Sequence, residues 1–397
     1  MQKKSLVMIY LVFFSWGVIF CMNDILLPYL KKSFTLSYLQ ASMIQFTFFG
    51  VYLIVSIPAG KVVSHYGYKK GIMIGLLIAA IGCLLFYPAS QFKVYGIFLF
   101  ALFVLSSGIA FLQVSANPFV AILGNPSHAA SRLNLAQAIN KLGYAVAPVI
   151  GSYFLFRQIE PDSPAYSSLV QTPYLVFASI LLLLAALVYM LPFPSTPVSD
   201  ESFFKSLRIL KRHKHLLFGA VGIFTYVGAE IATNAFFISF LADPSVAGIP
   251  FSEAAGYLAH YWTLATITGF LGFIALRFIE ASKLLFWCGV ISMLLLLICI
   301  TSSGVIVIVS LVALGGFISI MFPTIFAIAI EGLGKLTGQG SAILLTAVVG
   351  GALVPPVQGW LADRINIQSS FIVPLACYLY ITCYGFWKAK QKIRSVS

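Results

Sequence analysis

The residues with chemistry to offer are amides and a few charges, set where so apolar a chain has no evident use for them. Between Gln113 and Gly143, Gln113, Asn117, Gln137, Asn140 and Lys141 stand among Phe, Leu, Val, Ile and Ala. Gln113 and Asn117 are four residues apart, and Gln137, Asn140, Lys141 and Tyr144 recur at three-to-four spacing, so each set shares one face of a helix. An amide presents donors and acceptors together, which is what a polyhydroxylated ligand requires. Trp16, Tyr226 and Trp262 offer flat apolar faces on which a ligand ring could stack, with packing inside the protein as the plainer alternative.

Two carboxylates and the lysine supply the charge chemistry. A partly buried carboxylate holds its proton more tightly because desolvation disfavours the ion; if its exposure alternates, it binds a proton on one side and releases it on the other. Asp24 fits that role, although Pro28 and Lys31 also allow it to sit at an outer water boundary. Glu230 is flanked by Gly228, Ala229, Ile231 and Ala232, so it lines a cavity or bonds a neighbouring helix. An isolated ammonium in low dielectric would lose its proton, so a charged Lys141 calls for Asp24, Glu230 or an anionic ligand nearby. Snorkelling towards Arg132 is too far at about 1.5 Å per residue. The histidines His65, His128, His213, His215 and His260 do not cluster, and the six cysteines contain no CxxC pair. No metal, cofactor or enzymatic nucleophile is therefore expected.

The elements that must position these residues follow from composition. The chain is 60% hydrophobic and only 9% charged, with mean hydropathy +0.99, whereas soluble domains carry about 25% charged residues. The net charge of +13 is scattered at the ends of apolar segments, which argues against nucleic acid as a partner. Apolar runs long enough to cross a hydrocarbon layer of about 30 Å predict twelve helices. They cover 5–30, 39–64, 70–90, 94–122, 131–157, 170–192, 216–242, 252–278, 283–302, 304–330, 338–362 and 369–388. The first is a retained span and not a signal peptide, since it is long, holds Asp24 and lacks a small-residue cleavage site. A Pro/Ser-rich and then basic linker at 193–215 divides the chain into six-helix bundles at 1–192 and 216–388, with a tail at 389–397. The expected fold is thus an all-α integral membrane protein of two pseudo-symmetric six-helix bundles. Gly143, Pro148 and Gly151 match Gly351, Pro356 and Gly359 at one constant offset, and Pro118 parallels Pro323, as internal repeats do. Lysines and arginines concentrate on the side of Lys3, Lys69, Lys70 and the linker, while Lys31, Lys32, Lys93, Arg157 and Arg364 fall opposite. Both termini are therefore expected in the cytoplasm.

Twelve spans, the six-plus-six split and the basic linker resemble the major facilitator superfamily. Gly60, Gly67, Lys69 and Lys70 fit its cytoplasmic gating-loop signature, with Ser64 and His65 where Asp and Arg are usual. NDILLP at Asn23 to Pro28, ANPFVAILG at Ala116 to Gly124, RLNLAQAIN at Arg132 to Asn140 and YVGAE at Tyr226 to Glu230 resemble the L-fucose:proton symporter family, which includes bacterial glucose/galactose transporters. The resemblance implies a monomeric proton-coupled monosaccharide importer of the bacterial inner membrane, with sodium as the alternative ion. It implies a coupling carboxylate at Asp24 and a second in span four. Gln113 stands where that second Glu is usual, and Lys141 where a small Ser is. Both departures move the charge in the positive direction, so the expectation places coupling on Asp24 and Glu230. An anionic solute or an uncoupled sugar is the alternative cargo.

Overall fold

In the hydrocarbon layer no water is at hand to bond a free N–H or C=O, so a run of apolar residues closes its own backbone bonds as a helix. The computed structural model describes residues 2–33, 38–92, 94–155, 168–193, 210 and 213–396, with side chains over 5–22, 44, 46–92, 94–147, 171–193, 210 and 213–391. The first half holds α1 Gln2–Ser33, α2 Tyr38–Tyr66, α3 Tyr68–Phe92, α4 Tyr95–Ile122, α5 Ala129–Leu155 and α6 Ser168–Met190. The second holds α7 Lys214–Ala242, α8 Phe251–Phe278, α9 Ala281–Thr301, α10 Val305–Ile318, α11 Met321–Ile330, α12 Thr337–Thr346, α13 Gly350–Arg364, α14 Ile367–Ser370 and α15 Ile372–Val396. Among the described residues, 11 stretches are long and apolar enough to cross a membrane. The remaining long helix is α5, 27 residues, which carries Arg132, Asn134, Gln137, Asn140 and Lys141 in its first half. The protein is a multi-pass helical membrane protein. Most of the linker at 193–215 lies outside the described residues.

Two expected spans are broken, each for a backbone reason. The run 304–330 divides at Ser319 and Ile320 into α10 and α11, because Pro323 has no N–H to give the Ser319 carbonyl one turn earlier. The run 338–362 divides at the 3-10 turn Ala347–Val349 into α12 and α13. There Gly350 and Gly351 ease the bend, and Pro355 and Pro356 free the carbonyls one turn before them.

The chain forms two compact units. Unit 1 comprises Met1–Leu123, Ile139–Leu207 and Gly334–Thr346; unit 2 comprises Gly124–Ala138, Arg208–Leu333 and Ala347–Ser397. Each half thus lends one short segment to the other unit. In unit 2 the lent start of α5 is held by Asn134 Nδ2 donating to the Gly269 carbonyl at 2.6 Å and by Ser131 Oγ donating to the Phe273 carbonyl at 2.7 Å. In unit 1 the lent α12 lays Gly338 against Val63 of α2, where a Cβ would come within 3.3 Å of the valine methyl.

Matching close approaches build the two units. In unit 1, α1 and α5 touch backbone to backbone: a Cβ on Gly17 would lie 2.1 Å from the Asn140 carbonyl oxygen, and one on Gly143 2.4 Å from that of Phe14. In unit 2, α7 and α13 do the same, with a Cβ on Gly350 falling 2.1 Å from the Phe224 carbonyl oxygen and one on Gly228 2.3 Å from a Val354 methyl. Small residues at such crossings let dispersion and weak polar contacts replace the hydrophobic drive that lipid removes. Gly143→Leu is expected to lower the melting temperature of the detergent-purified protein by several degrees. Gly256→Ala, where nothing lies within 4 Å of a new Cβ, is expected to leave it unchanged.

Candidate functional site

Unit 1 holds the amide face. Gln113 lies midway along α4 and donates from Nε2 to the Tyr52 hydroxyl of α2 at 2.7 Å. Asn117, one turn on, is fully buried. On α5, Asn140 donates from Nδ2 to the Phe13 carbonyl at 2.8 Å, and that bond becomes possible because Gly17 and Gly143 let the two helices meet. Lys141 stands at the middle of α5 with its ammonium nitrogen buried. Tyr144 packs its ring 5.3 Å from that of Phe20. Trp16 is buried beside Phe13, their ring centroids 4.2 Å apart, so it serves first as packing within unit 1. Asp24 lies in α1 with its side chain outside the described residues. Gln137 is half-buried on the part of α5 that groups with unit 2.

The gating-loop residues have definite work within unit 1. Gly67 joins α2 to α3 at φ 82°, the left-handed conformation that a side chain would strain, while its N–H bonds the Val63 carbonyl at 2.9 Å. Gly60 is buried inside α2. Lys69 Nζ donates to the carbonyls of Tyr189 and Leu191 at 2.8 and 2.9 Å, placing a cation on the open C-terminal end of α6. Lys70 Nζ sits 5.2 Å from the Tyr66 ring. Ser64, standing where an aspartate is usual, turns its hydroxyl back to the Lys61 carbonyl at 2.9 Å.

Unit 2 holds the carboxylate. Glu230 falls near the middle of the 29-residue α7. Its Oε1 accepts from the hydroxyl of Tyr226, one turn earlier, at 2.8 Å, and its backbone carbonyl accepts from Asn234 Nδ2 at 2.8 Å. Tyr226 is 2% exposed, so its phenol serves the carboxylate inside the unit. Trp262 is half-buried on α8, with its ring 5.4 Å from that of Tyr261. No group of three His, Cys, Asp or Glu side chains assembles as a metal site among the described residues.

Several residues of this region escape a reading of the sequence. Tyr52, in FFGVYLIVS, has no polar neighbour to mark it as the partner of Gln113. Tyr261 and Tyr378 look like ordinary span aromatics, yet both lie fully buried near Glu230. Asn134 alone carried a signal, as a second amide in the RLNLAQAIN run.

Fold and site together define a polytopic membrane carrier of two related units, with most of the candidate amides in one and a half-buried mid-helix carboxylate in the other. The chain matches the Major Facilitator Superfamily model over residues 6–349 and belongs to that superfamily. It is 46% identical over 383 residues to the glucose/galactose transporter of Brucella abortus, covering 96% of this chain and 93% of that protein. It is 34% identical over 402 residues to the L-fucose-proton symporter of Escherichia coli, covering 96% of this chain and 92% of that protein. The solved structure of the superfamily transporter FucP in the outward conformation superposes with a TM-score of 0.89 at 34% identity, covering 97% of this chain and 98% of that one.

Lys69→Met removes the cation from two carbonyls at the end of α6. It is expected to cost about 1.5–3 kcal/mol of stability, read as earlier thermal unfolding in detergent. Lys70→Met, whose lysine meets only a ring face, is expected to cost well under half as much.

Proposed function

We propose that this chain is a secondary active transporter that imports a monosaccharide of the glucose, galactose or fucose class together with a proton, by alternating access of its two six-helix bundles. The names of its relatives support the cargo and the ion. The observation that carries the coupling is Glu230, a carboxylate at mid-helix in a membrane span, bonded by a buried tyrosine hydroxyl. A carboxylate at that depth is costly when ionised, and such groups in membrane spans serve proton relays. Asp24 is the second coupling carboxylate. Gln113, Asn117, Gln137, Asn140, Lys141 and Tyr144 bind the sugar's hydroxyls, and Trp16, Tyr226 and Trp262 give it aromatic surface. Gly60, Gly67, Lys69 and Lys70 form the cytoplasmic gate. The protein acts as a monomer in the bacterial inner membrane, with both termini in the cytoplasm.

One proton falling through a membrane potential of about 100 mV supplies about 2.3 kcal/mol, enough for roughly forty-fold accumulation. In proteoliposomes with an imposed potential, accumulation near that value is expected. An uncoupler, Asp24→Asn and Glu230→Gln are each expected to bring it back to equilibrium. Undiminished accumulation under all three would sink proton symport and leave coupling to another ion such as sodium, whereas a wild type that only equilibrates would be an uncoupled facilitator.

A sugar acid or other carboxylate is the second reading, favoured by the buried ammonium of Lys141 in mid-helix and by the neutral Gln113. Counterflow measures it directly: with an anionic cargo, Lys141→Ser abolishes exchange and neutral hexoses fail to compete. With a neutral sugar, hexoses compete fully and Lys141→Ser keeps exchange.

A further inference from the structure

The surroundings of Glu230 contain more hydroxyls than the structure employs. Three tyrosines from three helices converge there: Tyr226 of α7, Tyr261 of α8 and Tyr378 of α15, exposed by 2%, 0% and 0%. Each phenol lies within electrostatic reach of the carboxylate, and the phenols of Tyr261 and Tyr378 of one another. Tyr226 donates to Glu230 Oε1. The hydroxyls of Tyr261 and Tyr378 are buried with no hydrogen-bond partner among the described residues, as is the hydroxyl of Thr233, one turn beyond Glu230.

Buried hydroxyls are nearly always bonded, since leaving one unbonded forfeits its hydration without replacement. Phenylalanine would fill the same space at neither position with that penalty. An ionised carboxylate accepts about four hydrogen bonds, whereas a protonated one donates its own and is satisfied by fewer. A phenol donor in place and two unbonded phenols within electrostatic reach of the same carboxylate match a group that alternates between those forms. Unit 1 provides the contrast: Gln113 cannot ionise, and it meets a single tyrosine hydroxyl, that of Tyr52.

We propose that Tyr261 and Tyr378 are positioning residues for proton coupling, whose hydroxyls turn onto Glu230 when its proton leaves and hold the negative charge inside unit 2. The idea rests on Glu230 being a coupling carboxylate. It adds that the carboxylate's affinity for the proton is set by helices α8 and α15, which bring the donors, as well as by α7. The proton balance is simple. Glu230 gives its proton to the aqueous side that it faces, and the phenols keep theirs, exchanging no bond to hydrogen and only redirecting it.

The other titratable groups around α7 do not compete for this role. Cys377 neighbours Tyr378 on α15, and His260 neighbours Tyr261 on α8 but is exposed. Asp363 and Arg364 lie at the last turn of α13. Glu331, His215 and Lys388 form their own cluster at the opposite end of α7, with His215 Nε2 at 3.0 Å from the Glu331 carbonyl and Lys388 Nζ at 3.2 Å from its carboxylate.

Tyr→Phe at either position deletes one oxygen and keeps the ring packing. The test is counterflow of labelled glucose, galactose or fucose, whichever the wild type exchanges, in proteoliposomes with the same pH on both sides, for wild type, Tyr261→Phe, Tyr378→Phe and Glu230→Gln. Losing a donor to the ionised form lets the carboxyl keep its proton to higher pH. The alkaline limb of exchange is therefore expected to move up by about one to two pH units in each phenylalanine variant. Tyr380→Phe, whose hydroxyl serves the Phe218 carbonyl at 3.0 Å, is expected to leave the limb in place. Unchanged limbs in both variants, with the limb lost in Glu230→Gln, would overturn the tyrosine proposal while leaving Glu230 as the coupling group. A limb retained in Glu230→Gln would overturn both. A carbonyl-stretch infrared titration of purified protein reads the same midpoint independently of transport rate, so a slow variant is still decided.

Discussion

A polar group inside the hydrocarbon layer has no solvent to fall back on, and the structure is organised by how most such groups find a partner within the chain. Backbone groups do it by forming long helices. Side chains do it by reaching across helices, as Gln113 does to Tyr52, Asn140 to the Phe13 carbonyl and Asn134 to the Gly269 carbonyl, or one turn along a helix, as Tyr226 does to Glu230. Most of these bonds join segments far apart in sequence, so the same polar residues hold each unit together internally.

Such bonds need helices closer than bulky side chains allow, and that requirement explains the glycines. Asn140 reaches the α1 backbone because Gly17 and Gly143 stand at the crossing. In unit 2, Gly228 and Gly350 bring α13 onto α7 immediately before Glu230, holding the carboxylate's helix by backbone contact instead of by a long side chain. The prolines serve the complementary need. Pro323 stands one turn after the break at Ser319–Ile320, and Pro355 and Pro356 free carbonyls inside α13, close after the break at Ala347–Val349.

The distribution of charge gives the two units different chemistry. Unit 1 presents neutral amides and one buried lysine, with Gln113 paired to a single hydroxyl. Unit 2 presents Glu230 among three phenols. A neutral amide keeps one hydrogen-bonding pattern at every stage, and hydroxylated cargo suits it. A carboxylate changes its pattern with its proton, and the phenols around it can follow that change. Under the proposed reading both units share in selecting cargo and in carrying the ion, since Asp24 lies in unit 1 while Gln137 and Trp262 group with unit 2.

Much of this was legible in the sequence, for one reason: in lipid, apolar length dictates helix and a buried polar side chain dictates function. The spans follow from that rule apart from the breaks at Ser319–Ile320 and Ala347–Val349, and the same rule singles out Gln113, Asn140, Lys141 and Glu230 as polar residues within spans. Tertiary structure decided what depends on contacts between distant segments. Tyr52, Tyr261 and Tyr378 carry no local mark, because a tyrosine in an apolar run reads as packing until another helix places a carboxylate or an amide beside its hydroxyl. The membership of Gly124–Ala138 and Gly334–Thr346 in units formed by the opposite half of the chain was equally hidden, since chain order says which helices are consecutive and only packing says which are neighbours.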